Sequence, residues 1–186
     1  FAGSVVGGFA ALALLALALT RSGFLRQAVT ADHFHDLGKL LFTFMVFWSY
    51  IAFCQFFLIW YANIPEETGW FLHRLDGGWR SMTLLLVFGH FVVPFFFLMP
   101  RTIKRRRPLL MVGAVWMLLV HFLDLHWLII PAMSGAGSGR FLLLELTALV
   151  GIGGVALAVV GWLLAGAPLV PLRDPRLLES MAFENS

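Results

Sequence analysis

Leu109 to Ile130 reads LLMVGAVWMLLVHFLDLHWLII, an apolar run interrupted by one carboxylate, Asp124, and two histidines, His121 and His126. Wound as a helix at ~1.5 Å per residue, the run matches a hydrocarbon core ~30 Å thick. It holds no Lys or Arg, whereas Lys104 to Arg107 just ahead of it are all basic. The alternation of a half-buried strand is missing, and a barrel would show ~10-residue dyad segments between turns. The run therefore reads as a membrane-crossing helix. Four further stretches meet or approach the same length and polarity: Phe1 to Thr20, Leu40 to Ile64, Ser81 to Met99 and Phe141 to Leu164. The expected spans are thus 1–20, 40–64, 81–99, 109–130 and 141–164. Residues 21–39, 65–80, 100–108 and 131–140 connect them, and 165–186 form a tail. The fold class that follows is all-α, a polytopic transmembrane helical bundle with five spans in this chain.

Composition points the same way. Of 186 residues, 60% are hydrophobic and 12% charged, with a mean hydropathy of +0.89, against ~45–50% apolar in soluble domains. A water-soluble globule, a disordered chain and a collagen-like fibre are excluded. With Cys54 the sole cysteine, a disulfide scaffold is excluded too. The net charge of +3 and pI of 9.6 do not indicate nucleic acid as a partner, because the basic residues stand in short blocks between apolar runs. In that setting Lys104 to Arg107 are a topology determinant.

The same residues orient the chain. Arg21, Arg26 and Lys39 lie between spans one and two, Arg101 and Lys104 to Arg107 between three and four, and Arg173 and Arg176 in the tail. Only Arg74, Arg80 and Arg140 lie on the opposite side, so the basic-rich side and the C-terminus are expected in the cytoplasm. Trp60, Tyr61, Trp70, Trp79 and Trp127 gather near the outer boundary and Trp162 near the inner one, as aromatic belts do. The first residue is Phe1 and no charge precedes the first span, so this start is read as a cut or processed end, or as the middle of a longer chain. Phe1 to Thr20 lacks the basic leader of a signal peptide and is read as a span.

Small residues mark packing faces. Gly154, Ala158, Gly161 and Ala165 form one thin stripe on span five, and Gly3 and Gly7 make a G-x-x-x-G in span one. The outer run Gly135 to Gly139 has no preceding strand and is read as a connector, not a phosphate loop. Pro65 is placed to start a short outer helix with Glu66 and Glu67 in its first turn, where acidic groups complement the positive helix end. Asp32, His33, His35, Asp36 and Lys39 cluster at the cytoplasmic mouth of span two, as a solvated helix entrance or a proton inlet.

Ionisable groups at bilayer depth carry the functional question, because each costs several kcal/mol unless paired or watered. Span four holds His121, Asp124 and His126, span three His90 and span five Glu145. By rise per residue, His90 and His121 lie near the midplane, while Asp124 and Glu145 lie roughly 5–10 Å further out, in one layer of two antiparallel spans. His121 and Asp124 are spaced i, i+3, so the carboxylate can hold the imidazole tautomer. His126 lies about 200° around the helix from Asp124 and faces elsewhere. Thr43, Tyr50 and Cys54 share a face of span two, with Gln55 beside it. Pro94 lacks the N–H that would bond the His90 carbonyl in an α-helix, which predicts a kink and a free acceptor there. The candidate site is therefore His121, Asp124 and Glu145, supported by His90 and Tyr50. Three readings stay open: interhelical hydrogen bonding alone, a quinone headgroup site or proton relay, and bis-histidine haem ligation by His90 and His121. No metal ligand set is read from the sequence.

The segment His35-Asp36-Leu37-Gly38-Lys39-Leu40-Leu41-Phe42, continuing through Phe47-Trp48-Ser49-Tyr50-Ile51-Ala52-Phe53 to Ile59-Trp60-Tyr61-Ala62-Asn63-Ile64-Pro65-Glu66-Glu67-Thr68, closely resembles the ActF subunits of bacterial alternative complex III. These are quinone-interacting membrane subunits akin to the NrfD type. The tail Asp174-Pro175-Arg176-Leu177-Leu178-Glu179-Ser180-Met181-Ala182-Phe183-Glu184-Asn185 is similar to that family's C-terminus, and spans three to five match it more by pattern than by words. The family is described as having ten helices, so the resemblance implies a C-terminal half. It also implies a multi-pass subunit of the bacterial inner membrane, in a quinol-oxidising complex that passes electrons to cytochrome c or a similar acceptor. The expected partners are other membrane and periplasmic subunits, quinol and the lipid bilayer. Haem c and iron–sulfur clusters are expected in those other subunits and none in this chain. The sequence agrees, having no C-x-x-C-H and one cysteine. The alternatives are a purely structural anchor for the redox subunits, a haem-binding cytochrome b-like subunit, or an independent transporter.

Overall fold

The computed structural model describes residues 1–26, 28–133, 138–166, 168–171 and 173–184, without the side chains of 138–141. It is 84% helical, with no strand among the described residues. The helices are α1 Ala2–Arg21, α2 Ala31–Ala62, α3 Pro65–Leu75, α4 Gly77–Leu86, α5 Val93–Leu98, α6 Arg101–Arg105, α7 Arg107–Ile129, α8 Ser138–Ala165 and α9 Leu177–Met181. A π-helical turn, Val87–Val92, joins α4 to α5, and a 3-10 turn, Ile130–Ala132, closes α7. Five stretches are long and apolar enough to cross a membrane: Ala2–Arg21, Ala31–Ala62, Gly77–Leu98, Arg107–Ala132 and Leu142–Ala165. The protein is a polytopic helical membrane protein.

Local chemistry sets the helix ends. Helix α2 begins at Ala31 rather than Leu40, because Thr30 and His33 make a capping box that winds the polar entrance into the helix: the His33 imidazole reaches the Thr30 amide at 3.2 Å and its hydroxyl at 2.8 Å. It ends at Asn63, which takes the left-handed conformation at φ 49° that Asn tolerates. Pro65 then starts α3, with Glu66 and Glu67 in its first turn.

Helix α1 packs along α7 and α2, and α4 and α5 close the other side of α2 and α7. The core between them is Val6, Ala10, Ala13, Leu41, Met45, Leu98, Ala114 and Met117, edged by aromatic pairs such as Phe9 stacked on Phe44 at 5.1 Å. Alanines on α1 and α7 let the helices approach closely, the usual basis of contact where lipid removes the hydrophobic drive for helices to associate. Helix α8 differs: none of its apolar stretch is buried within the chain, and Gly154 and Gly161 of its small-residue stripe face open space. Of the expected outer connector, residues 135–137 lie outside the described residues.

Two polar knots tie the ends of the bundle. At the basic end, Arg105 grips Asp32 bidentately at 2.5 and 3.3 Å, and buried Lys104 donates to the Leu98 and Met99 carbonyls, each at 2.9 Å, capping α5. Gly38 makes room for it, since a Cβ there would stand 2.8 Å from the Lys104 Cγ. At the opposite end, Arg74 of α3 is 2% exposed. It donates to the carbonyls of Trp70 at 3.0 Å, Trp127 at 3.2 Å and Leu128 at 2.8 Å, and lies 3.6 Å over the Trp70 ring. Burial lowers the pKa of both cations, with the Lys39 charge adding to the effect at Lys104.

Candidate functional site

His90 sits in the π turn of span three. There the Val93 amide donates to the Phe88 carbonyl, a five-residue step in place of four. In that register the carbonyl five residues before Pro94 is that of Gly89. The Trp116 indole supplies the missing donor at 2.8 Å. The turn places His90 wholly inside the bundle, at 0% exposure.

Helices α2 and α7 meet it. The Trp48 indole of α2 lies against the His90 imidazole, ring centroids 3.7 Å apart, and its Nε1 donates to Asp124 Oδ2 at 3.1 Å. His121 of α7 stands 6.4 Å from His90 by centroids, edge to face, with its Nδ1 3.9 Å from the same Asp124 oxygen. Helix α1 lines the back of His121 with Gly3 and Gly7, where a Cβ would come within 2.8 and 3.0 Å of the imidazole. The G-x-x-x-G thus receives a side chain rather than a second backbone. One donor atom from each of His90, His121 and Asp124 lies within 4.8 Å of the others. Neither nitrogen of His90, nor Nδ1 of His121, has a hydrogen-bond partner among the described residues.

The expected constellation is only partly assembled. His121, Asp124 and His90 come together. Glu145 does not join them: its Oε2 is 2.6 Å from Nδ1 of His126, on the other side of α7, with the Trp79 ring 5.8 Å from that imidazole. The reason is angular, since α8 meets α7 on the side that His126 presents, away from Asp124. Tyr50 is 60% exposed on the outside of α2 and takes no part. Cys54 is half-buried. A polar track continuing along span two is therefore not formed by these side chains.

Two residues escaped the sequence reading. Trp48 was legible only as an aromatic, although an indole N–H at bilayer depth requires an acceptor, and Asp124 is a carboxylate at comparable depth. Arg74 read as one of three basic residues on the sparsely charged side, although the Trp70 four residues before it on α3 marks a stacking partner.

A porphyrin does not fit here. Asp124 lies within 4.8 Å of both imidazoles, inside the footprint of a macrocycle strung between them. The Trp48 ring also covers His90. Comparison with protein-family models and with curated proteins finds no match to this chain.

Proposed function

We propose that the chain is an integral membrane subunit of a quinol-oxidising electron-transport complex of the bacterial inner membrane, of the ActF type, with its C-terminus in the cytoplasm. Within it, His90, His121 and Asp124 hold and pass protons released at quinol oxidation. The observation that carries this reading is the pair of imidazoles with nitrogens unpartnered among the described residues, in the bundle interior beside a carboxylate 4% exposed. Such groups are expensive in a membrane and are kept where they serve ions or protons. Proton handling is preferred to quinone contact because Trp48 covers the fully buried His90. A proton needs no room there, whereas a quinone ring does. Electrons run through haem and iron–sulfur groups of partner subunits, since one cysteine cannot hold a cluster.

The test is made in the assembled complex. Asp124→Asn and His121→Gln are each expected to lower quinol oxidation and coupled proton release by about 10²-fold. Glu145→Gln and Tyr50→Phe are expected to stay close to the parent protein. Unchanged rates in Asp124→Asn would leave the chain as a packing scaffold for its partners.

A further inference from the structure

We propose that His90, His121 and Asp124 form a binding site for a divalent transition-metal ion of the zinc class. The inference stands on donor geometry and does not depend on the quinol-oxidising reading.

The donors have the right chemistry: two imidazoles and one carboxylate, with no thiolate, suit a borderline divalent ion such as Zn2+ or Co2+. Their spacing is right as well. His121 and Asp124 at i, i+3 on one helix are a chelating pair, and His90 supplies a third donor from the neighbouring span, all within 4.8 Å. A tetrahedral zinc ion wants its donors roughly 3.4 Å apart. The His121–Asp124 pair is already at 3.9 Å, and all three donors lie within 4.8 Å of one another. A ligating carboxylate is normally held by an outer hydrogen bond. Trp48 provides one to Asp124 Oδ2 at 3.1 Å.

The second observation is independent of the spacing. His90 is 0% exposed and both its nitrogens lack a partner among the described residues, as does Nδ1 of His121. Buried polar atoms in native proteins are nearly always satisfied, and those that are not call for an ion, a water or a role in chemistry. Charge balance is reachable: Asp124 cancels one positive charge, and hydroxide in a fourth position cancels the other, since bound zinc brings the pKa of water to ~7. With the ion bound, the one ligating nitrogen of each imidazole cannot exchange protons; without it that nitrogen can.

The experiment titrates Co2+ into the chelator-stripped full chain in detergent and reads the visible d–d absorption. One ion per chain is expected, with the band lost in His90→Gln and in Asp124→Asn. Trp48→Phe, which keeps the ring against His90 and removes its N–H, is expected to weaken binding about 10–100-fold. Circular dichroism of each variant establishes that the helices remain. No band in the parent protein, or a band that survives both ligand substitutions in folded protein, overturns the site. Because no quinol is present, that failure is separate from failure of the proton-handling reading, which is judged by turnover.

Discussion

A single side chain, Arg74, shows how a cation is made acceptable at the edge of a membrane protein. Three carbonyls and two tryptophan faces surround it, Trp70 at 3.6 Å and Trp127 at 5.4 Å from the guanidinium carbon. Lysine has one compact ammonium and cannot span carbonyls on α3 and α7 together. Arg74→Lys is therefore expected to cost roughly 1.5–3 kcal/mol, the worth of one charged hydrogen bond, as a lowered unfolding midpoint in detergent. An unchanged midpoint would show that the grip adds no stability. At this scale the sequence was half legible. The i, i+3 step exposed His121 with Asp124, because helical phase is periodic and local. Glu145 bonds His126 and does not join Asp124, because depth alone does not say on which side of α7 the next helix lies.

Elements show where local chemistry overrode simple length counting. Apolar length located the five spans, yet α2 starts well before its apolar run, since the capping box at Thr30 and the Asp32–Arg105 pair make a polar turn worth winding. Pro94 announced a disturbance, and the disturbance took the form of a π turn in which the Trp116 indole donates to the Gly89 carbonyl. The hydrogen-bond register within a helix is not written in its hydropathy. Helix α6 supplies a prediction with a definite sign. The Lys104 pKa is held below its ordinary 10.5, mainly by burial and secondly by Lys39. The unfolded chain then binds that proton more tightly than the folded one, so this group makes stability rise as pH climbs through the interval below 10.5. Thermal unfolding of Lys104→Met, followed from neutral pH to 10.5, is expected to show a flatter rise than the parent protein. Identical slopes would mean that Lys104 titrates alike in both states.

The whole molecule is a packed group of four spans with a fifth beside it. The distribution of Lys and Arg, ten on one side against three on the other, predicts which end faces the cytoplasm. Cysteines placed singly at Thr68 and at Ser180, in a Cys54→Ser background, are expected to react with a membrane-impermeant maleimide from opposite faces, Thr68 from the outside of intact cells. Labelling of Ser180 from outside would invert the assignment. The fifth span was legible as a span, but its setting was not, because a stripe of small residues does not name the surface that covers it. In the described residues one tie to α7 is the 2.6 Å bond between His126 and Glu145, near its N-terminal end. From Glu145 to Ala165 the helix runs about 30 Å further. A tilt of roughly 10° about that bond would carry the far end some 5 Å sideways at the opposite membrane face.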